Sequence, residues 1–158
     1  NSMDGIGSML SYEIFDRLLN LPQKDWKSRG IGQDKAHWTD RSARIKERTD
    51  AHITGTKPTM DNAAISGLYR CPLFGEIRIL EEDGALTIDF VNSPKLKARL
   101  THWHYDTYRL DWMEEQAWFE FGTVQVQQDN NGEPMGLLFD VPNDDIFFEE
   151  IKAVRVKS

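Results

Sequence analysis

The sequence predicts an α+β fold, mainly β, in which N-terminal helices precede an antiparallel meander of about eight short strands forming a barrel or a strongly twisted sheet. Apolar residues recur at helical spacing early in the chain and alternate with polar residues from Ala64 onward. Asp83-Gly84 and the run DNNG at 129–132 are strong hairpin signals between alternating segments. Short connections between consecutive strands favour an antiparallel arrangement.

The first helix is predicted at residues 9–21. Ile14 and Leu18 belong to an apolar stripe at helical spacing, which is typical of an amphipathic helix. Ser11 is the predicted N-cap, and Pro22 is predicted to end the helix because proline lacks the amide hydrogen that a helix interior needs.

A second helical region is predicted at residues 23–52, with Trp26 as an aromatic anchor near its start. Gly30 and Gly32 are expected to interrupt it, since glycine weakens a helix interior. The charged run 34–49 is interpreted as a largely solvated face.

The predicted domain organisation has four parts. Residues 1–8 form a start without fold, in which Asn1–Met3 resemble an expression-vector remnant, and the chain is expected to be a fragment of a longer protein. Residues 9–52 form a helical connector region, residues 53–62 a turn-rich linker, and residues 63–158 the antiparallel β-barrel-like domain.

The predicted strands follow from period-two alternation between turn residues. The aromatic stretch at 100–112 is either one bent strand or two strands with a break near Asp106-Thr107. The predicted strand segments are 65–70, 76–82, 85–91, 100–112, 117–128, 135–141 and 146–156.

Composition excludes several classes of function. The chain of 158 residues has a net charge of -7, which argues against a nucleic-acid partner because phosphate binding needs a basic surface. Cys71 has no second cysteine to pair with, so no disulfide framework is possible within the chain. No apolar run reaches the length of a membrane span, and no signal peptide is recognised at the start.

The aromatic stretch LTHWHYDTYRLDW at 100–112 is the strongest candidate for a functional site. In a continuous strand His102, His104 and Asp106 would share one face. The face is interpreted as aromatic bulk with satisfied hydrogen bonds, or alternatively as a set of metal or ligand contacts. The candidate ligand-binding or interdomain residues are His102, Trp103, His104, Tyr105, Asp106, Tyr108 and Trp112.

Motifs of catalysis are missing from the sequence. There is no G-x-S-x-G, S-x-x-K or H-E-x-x-H run, no P-loop and no G-x-G-x-x-G fingerprint. No catalytic residue, no metal and no cofactor is therefore predicted for this chain.

Six segments, taken in order, resemble one known family. They are LSYEIFDRLLNLPQKDW at 10–26, GTKP at 55–58, ISGLYRCPLFGEIRI at 65–79, DGALTIDF at 83–90, LTHWHYDTYRLDW at 100–112 and a valine-rich strand ending in DNNG at 129–132. This order resembles the lipocalin-like C-terminal accessory domain found after the catalytic domain of many β-lactamase-like (penicillin-binding-type) serine hydrolases. Ala64 and Ile65 stand where that family more usually has an aromatic or small residue, which leaves the register of the first strand open.

The resemblance implies a non-catalytic domain that packs on an upstream serine hydrolase domain of the same chain and shapes substrate access or assembly. It implies that Phe15, Leu18 and Leu19 of the first helix pack on that partner, and it suggests a periplasmic or secreted location. A homo-oligomer is compatible with it. The family's catalytic serine and lysine have no matching positions here.

Two alternative functions stay open at this point. A metal-binding module would use His102, His104 and Asp106. A closed barrel could instead carry a small apolar ligand, unless aromatic side chains fill it. The aromatic residues available to a carrier are Trp103, Trp112, Trp118, Phe119, Phe121 and Phe139.

Overall fold

The computed structural model describes residues 5–116, 118–143 and 146–157. The chain forms two compact units, residues 1–48 and residues 49–158. The predicted vector remnant at Asn1–Met3 lies outside the described residues. The prediction of an unfolded start is wrong for the last residues of its range, because a helix already begins at Ile6.

Two helices make up most of the first unit, α1 at Ile6–Leu18 and α2 at Trp26–Asp50. The predicted cap of α1 is wrong, because Gly5 occupies the N-cap and the Ser11 hydroxyl donates inside the helix to the Gly7 carbonyl at 2.9 Å. The predicted end at Pro22 is also wrong. Leu19 already caps α1, and its amide donates to the Phe15 carbonyl.

The predicted interruption of the second helix is wrong, since α2 runs through Gly30 and Gly32. Gly30 is needed for close packing of the two helices: a Cβ at this position would lie 2.0 Å from Sδ of Met9. Trp26 does serve as an anchor, because its Nε1 donates to the buried Asp16 carboxylate at 2.7 Å.

Eight strands in the second unit close into an antiparallel barrel, and each pairs with the next along the chain. This confirms the predicted meander and decides between barrel and open sheet. A short helix α3 at Asn62–Ile65 precedes them. The strands are β1 Gly67–Cys71, β2 Gly75–Glu82, β3 Ala85–Phe90, β4 Lys97–His104, β5 Thr107–Trp112, β6 Thr123–Gln128, β7 Pro134–Asp140 and β8 Ala153–Arg155.

Both predicted hairpin turns are confirmed. Asp83 and Gly84 have φ of 52° and 75°, as a two-residue turn between β2 and β3 requires. Gly132 in the β6–β7 turn has φ of 84°. Two positive φ values in succession favour the Asp-Gly pair, because glycine carries no Cβ and aspartate tolerates the left-handed region.

Three predicted strands need correction. Ile65 lies in α3, so β1 begins two residues later than predicted. Of the described residues within 117–128, Thr123–Gln128 form the strand and 118–122 do not. Within 146–156 a 3₁₀ turn at Phe148–Glu150 precedes the short β8, because Phe148 turns into the barrel.

Phe148 is the centre of the aromatic core inside the barrel and is fully buried. Its ring centroid lies 5.1 Å from that of Phe119 and 6.2 Å from those of Phe139 and Trp112. An eight-stranded barrel is just wide enough for side chains to fill it. The fully buried large side chains are Tyr69, Phe90, Phe148, Ile65, Ile77, Ile79, Ile88, Leu110, Leu137, Ile151 and Val124.

The barrel closes through β8, which pairs with only two residues of β1 and two of β7. Arg155 supports this closure because its guanidinium donates to the Tyr69 hydroxyl at 3.0 Å and to the Ser66 carbonyl at 2.9 Å. In turn, the Tyr69 hydroxyl donates to the Ile65 carbonyl at 2.8 Å.

The sequence predicts no membrane span. Across the described ranges, no helix is both long and apolar enough to cross a bilayer.

Replacing Gly136 by alanine should destabilise the barrel. A Cβ on Gly136 would lie 2.7 Å from the backbone oxygen of Ala153, so β7 and β8 would have to separate. Overpacking of this kind costs about 1–3 kcal/mol. Gly32→Ala on α2 is the comparison without a steric clash, since a Cβ there meets nothing within 4 Å, and alanine should keep or raise stability inside a helix. Chemical denaturation followed by tryptophan fluorescence measures both variants, and equal unfolding free energies would contradict this account of closure.

Candidate functional site at the β4–β5 turn

The aromatic stretch forms a hairpin rather than one strand. β4 ends at His104, Tyr105 and Asp106 form the turn, and β5 begins at Thr107. A bulge between His102 and His104 shifts the register of the pair. The single-strand alternative is therefore wrong, and the predicted common face ends at the bulge, with Asp106 lying in the turn.

A segment that precedes the barrel packs on this turn. We call residues 52–59 the strap. The His52 ring stacks on Trp103 with ring centroids 3.9 Å apart, and its Nε2 donates to the Trp103 carbonyl at 2.7 Å. Phe121 meets the Trp103 ring edge-on, with centroids 5.7 Å apart. The strap thus begins on an aromatic platform supplied by β4.

Tyr105 adopts the left-handed conformation at the tip of the turn, with φ of 47°. Its amide donates to the Thr56 hydroxyl of the strap at 2.9 Å, and its carbonyl accepts from Nε2 of His102 at 2.9 Å. These two bonds hold a backbone conformation that a residue with a bulky side chain rarely adopts. The Tyr105 side chain is half exposed.

Asp106 joins the strap to the turn through both carboxylate oxygens. Oδ1 accepts from the Thr59 amide at 2.7 Å, and Oδ2 accepts from the Thr59 hydroxyl at 2.8 Å. The side-chain amide of Gln128, on β6, donates through Nε2 to the same Oδ2 at 2.9 Å and also contacts the Thr59 hydroxyl. Hydrogen bonds to a carboxylate are stronger than neutral ones, so this is the firmest attachment of the strap.

His104 accepts a hydrogen bond from the strap. The Ile53 amide donates to its Nδ1 at 3.4 Å. The His104 ring lies with its centroid 6.2 Å from that of His52. Burial lowers the pKa of the His104 imidazole below its usual value, and the positive charges that His52 and His102 can carry lower it further.

The geometry does not support a metal centre built on His102, His104 and Asp106. The Nε2 atom of His102 is bonded to a carbonyl, and both Asp106 oxygens accept hydrogen bonds from Thr59 or Gln128. Among the residues that the structure describes, no group of three or more His, Cys, Asp or Glu side chains is placed to hold a metal ion. The side chains of Asp106 and His104 instead accept hydrogen bonds that join the strap to the turn.

Tyr108 and Trp112 contribute to the barrel core rather than to the contacts with the strap, although the Tyr108 ring meets His102 edge-on with centroids 6.0 Å apart. Burial, with a smaller effect of the Asp106 charge, raises the pKa of Tyr108 to about 12. Trp112 packs against Phe119 with ring centroids 4.8 Å apart. Of the seven candidate residues, the structure therefore gathers His102 to Asp106 at one end of the barrel and places these two in its wall.

Sequence reasoning missed the strap side of the site. Residues 53–62 were expected to be a linker, and His52 was assigned to the helical region, yet the compact barrel unit already begins at Thr49. The signal in the sequence was GTKP at 55–58, which contains Thr56, whose hydroxyl accepts a hydrogen bond from the Tyr105 amide of the turn. Gln128 gave no signal, since a glutamine that ends a strand is unremarkable in sequence.

The fold and the site together define an eight-stranded antiparallel barrel whose β4–β5 turn is fastened by the segment preceding the barrel. Residues 51–155 match the sequence profile of a family described as Domain of unknown function (DUF3471), and the chain belongs to this family. The match spans the strap and the barrel, and it leaves both α1 and α2 outside. A search of curated proteins found no match.

Replacing Asp106 by alanine should loosen the strap and lower stability. The change removes the acceptor of the Thr59 amide and hydroxyl and of Gln128. Losing charge-assisted bonds from a partly exposed group costs about 2 kcal/mol. Urea denaturation measures the unfolding free energy, with Glu82→Ala on the exposed end of β2 as the control. A D106A protein as stable as its control would show that the turn holds without the carboxylate.

Proposed function

We propose that this chain is a non-catalytic accessory domain of a β-lactamase-like serine hydrolase, which packs on the hydrolase domain and shapes substrate access or assembly. Family membership supports the proposal, because domains of this family often follow β-lactamase-related catalytic domains. The order of motifs from residue 10 to residue 132 points to the same class of parent protein.

The observation that carries the proposal is the apolar surface of α1. Leu10, Ile14 and Leu18 lie four residues apart on one side of the helix and are 54%, 55% and 71% exposed. Phe15 and Leu19 extend this surface and are also more than half exposed. Covering a large aliphatic or aromatic side chain contributes about 1.5–3 kcal/mol, so this face favours burial against another protein surface.

The β4–β5 turn supports an accessory role over a catalytic one. Its polar groups bond to the strap and to the turn itself: the Asp106 carboxylate to Thr59, and the His102 imidazole to the Tyr105 carbonyl. A catalytic acid or base needs a side chain able to reach a substrate proton. Side chains that are already hydrogen-bonded within the domain are more typical of a structural role than of catalysis.

The carrier alternative draws no support from the barrel interior. Phe90, Phe139 and Phe148 pack on one another across the barrel with ring centroids 5.6 to 6.3 Å apart. Among the other carrier candidates, Trp118 is about half exposed, and Trp103 stacks on His52 outside the core. The aromatic residues that suggested a ligand carrier thus either pack in the barrel core, as Phe139 does, or contact the strap, as Trp103 does.

The proposal is tested with three proteins: the isolated 158-residue chain, the parent protein, and the parent protein from which these 158 residues have been deleted. Each is assayed for ester, β-lactam and D-amino-peptide hydrolysis, with and without added zinc. We expect the isolated chain to be inert and its removal to change the activity or assembly of the hydrolase. Turnover by the isolated chain that is lost in His102→Ala or His104→Ala would overturn the proposal.

The apolar face of α1 is tested by the double variant Ile14→Lys and Leu18→Lys. Both positions are exposed, so the helix tolerates lysine, while two favourable contacts with a partner are lost. We expect affinity for the separately expressed hydrolase domain to fall at least about 100-fold, since 1.4 kcal/mol corresponds to tenfold. Glu47→Lys on α2 adds the same net charge and is the control. Equal affinity of the two variants in calorimetry would exclude α1 as the docking surface.

A further inference from the structure

We propose that the strap is a pH-sensitive fastener, in which neutral His104 holds the first part of the strap on the β4–β5 turn and protonated His104 releases it. The inference stands on hydrogen-bond geometry around three histidines and does not depend on the proposed function. It concerns His52, Ile53 and the β4 residues that they contact.

The bond from the Ile53 amide to His104 is possible in only one charge state. The amide donates to Nδ1 of His104, so this nitrogen must offer its lone pair and the ring must be neutral, with its proton on Nε2. Protonation places a hydrogen on Nδ1. Two donors then face each other across the 3.4 Å that separates the Ile53 nitrogen from Nδ1, and the bond is lost.

The other two histidines respond differently to acid. His52 and His102 each donate through Nε2, to the carbonyls of Trp103 and Tyr105, and a protonated imidazole keeps that donor. Their own bonds therefore survive acidification. Their positive charges, however, act on His104 and oppose a third charge in the cluster. Protonation of His104 is therefore the step that removes a hydrogen-bond acceptor from the cluster.

The other titratable groups near His104 and on the strap are Tyr105, Asp106 and Lys57. The contacts of Asp106 limit the release to the start of the strap. The Tyr105 ring lies with its centroid 5.9 Å from that of His104. The Asp106 carboxylate, in the turn, is bonded to Thr59 and Gln128. Lys57 is the strap's other titratable side chain. The attachment at Thr59 therefore persists when the attachment at Ile53 opens.

The direction of the pH effect follows from the lowered pKa of His104. The open strap exposes an imidazole of ordinary pKa, about 6.5, and so binds more protons than the closed strap once the pH falls below that value. The closed state is fully favoured above about pH 6.5 and loses ground as the pH falls towards the lower pKa of the closed state. Since the strap links α2 covalently to the barrel, acid frees the start of that link.

The test is amide hydrogen exchange of the whole 158-residue chain, followed by NMR from pH 7.5 to pH 5.0 as protection factors. We expect protection of the Ile53 amide to fall by up to about tenfold per pH unit below about pH 6.5 and then to level off. The Thr59 amide should change little. The core amide of Ile88 reports global unfolding and should stay protected. Constant Ile53 protection over this range would overturn the proposal.

Two variants assign the effect to His104. His104→Asn replaces Nδ1 with the Oδ1 acceptor and removes the titration, so Ile53 protection should become independent of pH, whereas His37→Gln on α2 should behave like the parent chain. His52→Gln keeps the Nε2 donor and removes a neighbouring charge, so it should move the transition to higher pH. Unchanged pH dependence in His104→Asn would overturn the proposal.

Discussion

Closing eight strands into a barrel creates an interior that side chains must fill. The placement of polar groups in the rest of the barrel depends on the apolar side chains that fill this interior. Phe148 enters from a 3₁₀ turn outside the sheet and contacts Phe90, Phe119 and Phe139. Because the interior is apolar, polar groups with hydrogen-bonding needs are placed at the ends of the strands. Within the described part of the barrel there are three exceptions, since three buried groups have no protein partner: the hydroxyls of Thr87 and Tyr108 and the indole nitrogen of Trp112.

The concentration of histidine and aspartate at the β4–β5 turn follows from the same constraint. At the end of a barrel, backbone groups leave the strand ladder and need partners from elsewhere. His102 and Asp106 supply such partners within the turn and across to Thr59, while Trp103 gives the strap an apolar surface to stack on. A run that suggests metal ligands in sequence is thus accounted for by the hydrogen bonds of one turn and one strap.

Local signals predicted most of the barrel, and long-range contacts explain what was missed. Period-two alternation and the Asp83-Gly84 turn depend on neighbouring residues, so the sequence reveals them directly. The strap meets the turn through pairs such as Thr59 and Asp106, which lie 47 residues apart and leave no periodic trace. Phe148 could not be told from a strand residue, because an apolar run fits a strand and a turn that inserts one ring equally well.

The match to the family from residue 51 to residue 155 falls within the barrel unit, and the two units differ in how they bury their apolar side chains. The profile includes the strap and leaves α1 outside, so the fastened barrel is the part that the family shares. The barrel buries its own aromatic core, whereas α1 leaves Leu10, Ile14 and Leu18 exposed. A helix that does not bury its apolar side within its own unit gains most from an additional surface. The exposed apolar side of α1 therefore lies outside the part of the chain that the family shares, whereas the strap and the barrel lie within it.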